Sequence, residues 1–235
     1  RPFSAGIIAA FGATFSMVPS LLLIAQWLQL IDGATPIEAG VRLMPVAVAG
    51  AIASMVSPLV ARRIGARAVL AGGLGLAAVG MLYIGVVGER IDLFGVLLAM
   101  TFVGAGTGSL AIGSAMIMMG SPVEKAGNAG ALEETSYELG ATLGVAILGS
   151  ISALIYRFQL SVDAAMQNMG SNVLGQAKES LGAAMAVAGE ADLPQLVEGA
   201  ATAFNRSLQA AGYVGGFFML LVAVLVFFLT PKGTD

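Results

Sequence analysis

Residues 212–230 read GYVGGFFMLLVAVLVFFLT, a run without one charged side chain. A helix needs about 20 such residues to cross the hydrocarbon of a bilayer. Six runs of this kind occupy the chain, at about 3–30, 39–60, 68–87, 93–119, 127–156 and 208–230. The first is interrupted by Pro19, the second carries Pro45 near its start, and Pro231 closes the sixth. Connections are short except for 157–206, which is too polar to span. Only 11% of the 235 residues are charged and 57% are hydrophobic, with mean hydropathy +0.90. A typical soluble domain has about 25% charged residues, so an all-α integral membrane protein is predicted. The chain begins RPFS, without Met and without a signal-peptide core, and reads as part of something longer.

Composition also narrows the chemistry. There is no Cys and no His, which removes disulfides, thiolate clusters and imidazole ligands together. No metal and no cofactor are expected. A net charge of -3 gives no footprint for nucleic acid.

Basic residues set the orientation. With six spans both termini share one side, which collects Arg1, Arg62, Arg63, Arg67, Lys125 and Lys232. That side is assigned to the cytoplasm, and 157–206 faces outward. Within it, 172–188 and 193–209 have helical spacing around the turn GEAD, predicting a hairpin whose second helix runs into the last span. Residues 1–156 thus hold five spans, 157–206 an extracytoplasmic loop, and 207–235 the last span with a cytoplasmic tail. "SPVE" at 121–124 reads as a capping box, with Ser121 as the cap and Glu124 reaching back.

Polar content divides the spans. The third and sixth are almost free of hydrogen-bonding side chains and suit lipid. The first (Thr14, Ser16, Ser20, Gln26), fourth (Thr101, Thr107, Ser109, Ser114) and fifth are wetter and are expected to face a cavity, since unpaired polar groups in hydrocarbon cost several kcal/mol. Two triplets of helices result, as in one half of a transporter built from three-helix repeats. The run GAGTGS (104–109) imitates a phosphate loop, but it has no following Lys and lies inside an apolar span. Its small residues read as helix packing, like Gly140 and Gly144.

The most demanding stretch is GNAGALEETSYELG, residues 127–140, which puts Glu133, Glu134 and Glu138 into the fifth span. Even on the lenient scale a charge at the membrane centre costs about 2.5–3.5 kcal/mol. Glu134 and Glu138 share a helix face, and Glu133, about 100° away, pairs with Tyr137. The first two are expected to form a cavity pair, with Glu133 nearer the cytoplasmic entrance. Sequence alone leaves the helix rotation open, so Glu133 could instead face the cavity. Tyr137 is either a seat for a lipophilic cation or a packed tyrosine. Trp27, beside Gln26, is either an interface anchor or a cation-binding ring.

Three stretches, AQWLQLIDGATPIEAGVRLMP, SPLVARRIGARAVLAGGL and SPVEKAGNAGALEETSYELGATLGVAILGS, together resemble the fourteen-helix drug/proton antiporters of the major facilitator superfamily. The closest likeness is to exporters of quaternary ammonium compounds and methyl viologen. The resemblance covers essentially the whole chain as that family's last six helices. It implies proton-coupled efflux of lipophilic cations across the cell's inner or plasma membrane, with the N-terminal half of the transporter as partner and the three glutamates serving both proton and cation. The second stretch is a degenerate form of the superfamily's basic loop, carried here by Arg62, Arg63, Gly65 and Arg67, with Arg62 where an acid is usual. Two other readings are an exporter of a neutral or anionic metabolite, the anion opposed by the lack of intramembrane Lys or Arg, and a membrane-embedded enzyme or scaffold. No enzymatic activity is expected.

Overall fold

The computed structural model describes residues 2–87, 92–163, 166 and 169–230. Arg1, Glu89 and Arg90 of the third connection, the stop at Pro231, and Lys232 lie outside the described residues. The described chain is helical throughout: α1 (Pro2–Leu30), α2 (Pro36–Ile64), α3 (Ala66–Val86), α4 (Leu93–Thr107), α5 (Leu110–Met119), a 3-10 turn (Val123–Lys125), α6 (Ala126–Val162), α7 (Ser171–Ala177), α8 (Leu181–Glu190) and α9 (Pro194–Leu229). Six helical stretches are long and apolar enough to cross a membrane, α4 and α5 together making one of them. The protein is a multi-pass membrane protein.

The helix ends follow from local chemistry, with one exchange of place. The capping box forms at TPIE, not at SPVE. Thr35 Oγ1 accepts from the Glu38 backbone N–H at 3.3 Å, and Glu38 Oε2 accepts from the Thr35 N–H at 2.8 Å, with Pro36 opening the helix. Ser121 cannot cap, because its hydroxyl donates back to the Ile117 carbonyl at the end of α5 (2.9 Å), and the next turn is 3-10 without a side-chain cap. Asp92 caps α4 by accepting from Gly95 N–H at 3.1 Å.

The fourth span is broken where GAGTGS ends. The Ser109 N–H bonds to the Gly106 carbonyl and the Ile112 N–H to the Ser109 carbonyl, three residues back instead of four. Ser109 Oγ takes the Gly106 carbonyl as well. Gly at three positions and a hydroxyl that competes for backbone weaken the α-helix here. The same glycines admit neighbours: a Cβ at Gly104 would lie 2.2 Å from the Val46 carbonyl of α2.

Polarity does not sort the spans as expected. Half or more of α1, α3 and the α4–α5 span is buried, whereas α2 has almost no buried residues and α6 is mostly exposed. The polar-poor α3 packs along α9 rather than standing free. The hydroxyls of α1 and α4 need no cavity. Ser20 and Thr101 donate to the carbonyl one turn back, while Thr14 reaches the Tyr137 carbonyl (2.9 Å) and Ser16 the Gly215 carbonyl (3.0 Å). Back-bonded or cross-bonded, such groups sit in a dry interior at little cost.

Past α6, the expected helix over 172–188 is two helices. Ser180 Oγ accepts from Ala183 N–H and starts α8 afresh. The break is held against α6 by Tyr156, whose hydroxyl donates to the Ala177 carbonyl at 3.0 Å, and by Arg157 Nε on the Lys178 carbonyl. After a turn at 191–193, α9 runs unbroken for 36 residues, about 54 Å. It therefore extends well beyond a 30 Å hydrocarbon core.

Candidate functional site

The carboxylates sit on α6, whose rotation is set by its small residues. Ala129, Ser136, Gly140 and Gly144 form a buried stripe. Gly144 rests on the α1 backbone, where a Cβ would meet the Phe15 carbonyl at 2.1 Å. Glu133 falls on this stripe, one turn before Ser136. It is 9% exposed and accepts a hydrogen bond from the Ser114 hydroxyl of α5. The Tyr137 hydroxyl lies beside both partners.

Glu134 and Glu138 point the other way, on the exposed face. The three acids thus divide two and one, with Glu134 and Glu138 together and Glu133 with Tyr137, as the helical spacing requires. Among the described residues α1 and α5, which enclose Glu133, carry no charged side chain.

Trp27 and Gln26 do not join them. They lie 13 and 12 residues along α1 from Thr14, which touches Tyr137, roughly 20 Å away. Trp27 is 4% exposed, packed in the core, and its Nε1–H donates to Asn205 Oδ1 at 3.0 Å. An enclosed ring offers no open face to a cation, so Trp27 is a tie between α1 and α9. Gln26 is exposed and lines a separate cavity of about 200 Å³ with Ser152, Tyr156 and Phe204.

In the basic loop, Arg62 and Arg63 are exposed in the last turn of α2, where cations complement the helix dipole. Gly65 joins α2 directly to α3 at φ +87°, a conformation that favours glycine. Arg67 finds an aromatic partner: its guanidinium stands 3.7 Å from the centroid of the Phe227 ring, a cation–π tie between α3 and the end of α9.

Ser114 is the site residue that sequence reasoning did not single out. It appeared only as one hydroxyl among several in a wet span. The stripe Ala129–Ser136–Gly140–Gly144 was the available signal. Small residues at helical spacing mark the packed face, and Glu133 lies on it.

No family model matches the chain. Individual proteins do. It is 32% identical over 231 residues, 96% of its length, to the multidrug efflux pump LfrA of Mycolicibacterium smegmatis. It is 31% identical over 238 residues to the methyl viologen resistance protein SmvA of Salmonella typhimurium. The multidrug resistance protein Stp of Mycobacterium tuberculosis is 35% identical over 153 residues. Its relatives are multidrug efflux and resistance proteins. The chain spans about half the length of the first two, 45% and 47%.

Proposed function

We propose that this chain is the C-terminal half of a proton-coupled exporter of lipophilic cations, of the major facilitator type, in the cell's inner or plasma membrane. The observation that carries the reading is the split of the three glutamates. One carboxylate is buried among helices without a cation, and two lie together on an exposed face of the same two turns. Burying an ionised carboxylate without a cationic partner is costly, so in this reading Glu133 is the carboxylate that exchanges a proton. An exposed pair in a membrane helix attracts a cationic substrate. Binding at one then disfavours occupancy at the other, which is antiport by linkage. The names of LfrA and SmvA support drug export as the class of activity.

In this reading the exposed apolar faces of α2 and α6 meet the N-terminal half, and the cavity lies between the halves. The role is transport, not catalysis. Protein reconstituted with both halves should release protons on addition of a lipophilic dication, and the variant with all three glutamates changed to Gln should not. Equal proton release from both would refute the reading. The chain by itself should transport nothing in liposomes, because alternating access needs a second half.

In this reading both termini lie in the cytoplasm and the helices over 171–193 outside. Gly189 is exposed near the end of α8, with nothing within 4 Å of a Cβ built there. Gly189→Cys should react with an impermeant maleimide in intact cells. Reaction only after permeabilisation would reverse the orientation.

A further inference from the structure

We propose that Ser114 is a positioning residue through which the protonation state of Glu133 sets the position of α5. The inference rests on the proposed proton coupling and names the element that responds to it. Three observations converge on α5. It is a half-helix set off from α4 by a tightened turn, where the backbone ladder passes from four-residue to three-residue spacing over Ser109–Ile112. One face is tied to α6 by the Ser114–Glu133 hydrogen bond. The opposite face, with Ile112, Ala115, Met116 and Met119, borders a mostly apolar cavity of about 550 Å³ lined on the other side by Pro58, Ala61 and Arg62 of α2. A tethered half-helix beside open volume can shift without unpacking a continuous span.

The tether depends on charge. An ionised carboxylate accepts the Ser114 O–H in a charge-assisted hydrogen bond, roughly twice as strong as a neutral one. When Glu133 takes a proton, it becomes a weaker acceptor and α5 relaxes toward the cavity. When the proton leaves, the bond re-forms and draws α5 back to α6. The titratable and charged groups around Glu133 are few. From α6 itself come Tyr137 and Glu134, and the nearest cation along it is Lys125, eight residues earlier, about 12 Å. Neither α1 nor α5 supplies any, and α9 supplies no charged group from residue 207 to 230. Among the described residues, no side chain of α1 or α5 with fixed positive charge competes with Ser114 for the carboxylate.

The test uses the full-length transporter with a single cysteine replacing Met119, which is exposed at the cavity rim. Maleimide labelling at this position, divided at each pH by that of a free thiol so that thiolate protonation cancels, should fall severalfold as the pH is lowered. Ser114→Ala should abolish that pH dependence, and Ser114→Thr, which keeps the hydroxyl, should restore it. Glu133→Gln should also remove it, together with part of the substrate-induced proton release. If Ser114→Ala keeps the wild-type pH profile of labelling while Glu133→Gln loses it, the inference about Ser114 is overturned and proton coupling stands. If Glu133→Gln keeps both profile and proton release, the coupling reading fails and the inference falls with it.

Discussion

In the full-length transporter, Glu138→Gln should lower resistance to a lipophilic dication by about tenfold, and Glu133→Gln should leave binding of a monocation nearly intact while removing part of the proton release. The two effects differ because the two side chains do. Glu138 is exposed on the same face as Glu134, so a substrate can approach both. A unit charge opposed at about 4 Å in a protein-like medium is worth roughly 4 kcal/mol. Solvent screening at an open face reduces this to a fraction. About 1.4 kcal/mol remains as a conservative figure, which is tenfold. Glutamine keeps the shape and removes the charge, so the loss reports electrostatics. Glu134→Gln should behave like Glu138→Gln, and a monocation should suffer less than a dication from either. Glu133 meets Ser114 and no solvent-facing surface. Glutamine there still accepts the Ser114 hydroxyl, so folding is kept and only the exchangeable proton is lost. Resistance assays and proton-release measurements on equally expressed variants decide it. Wild-type behaviour of all three single variants and the triple variant would make these carboxylates structural.

The spans were legible because length and apolarity suffice for them: each coincides with a helical stretch, although the fifth runs on to Val162 and the sixth begins fourteen residues early, at Pro194. What the sequence did not disclose is which face of each helix turns inward. In a uniformly apolar helix there is no amphipathic stripe to read, since lipid and protein interior are equally apolar. Hydroxyls are then the only polar signal along such a helix, and they mark no cavity here, because Ser20, Thr101 and Thr107 satisfy themselves on the preceding turn. Trp27 was placed beside Gln26 by proximity in sequence, yet adjacent helix positions point about 100° apart, and only Gln26 reaches open space. The break at Ser109 was missed because GAGTGS was read for packing alone, and the competing hydroxyl was not weighed. The capping box at Thr35 was missed for a different reason. TPIE carries the same pattern as SPVE, and what separates them is tertiary: Ser121 is already engaged by the helix before it. Small residues were the better guide, for Gly140 and Gly144 give the rotation of α6 and thereby the inward direction of Glu133.

That rotation should be destroyed by the smallest possible addition at Gly144. In an exposed helix interior, Gly→Ala stabilises by roughly 1 kcal/mol through helix propensity. At Gly144 the added Cβ would stand 2.1 Å from the Phe15 carbonyl oxygen and 2.8 Å from Phe15 Cα, both backbone atoms of α1. Backbone cannot rotate out of the way as a side chain can, so α6 must separate from α1. Separation loosens the Thr14–Tyr137 hydrogen bond at 2.9 Å, two turns away, and with it the placement of Glu133. Overpacking of a core ordinarily costs about 1–3 kcal/mol, and against rigid backbone the upper end applies, so the propensity gain is outweighed. Gly149, five residues further on the same helix, has nothing within 4 Å of its added Cβ. Gly149→Ala should therefore be neutral or slightly stabilising. Thermal unfolding of the full-length protein in detergent compares the two variants in one helix with one chemistry. Gly144→Ala should melt well below the parent and Gly149→Ala at or above it. If Gly144→Ala melts as high as Gly149→Ala, the contact of α6 with α1 is not as close as described, and the inward placement of Glu133 loses its support.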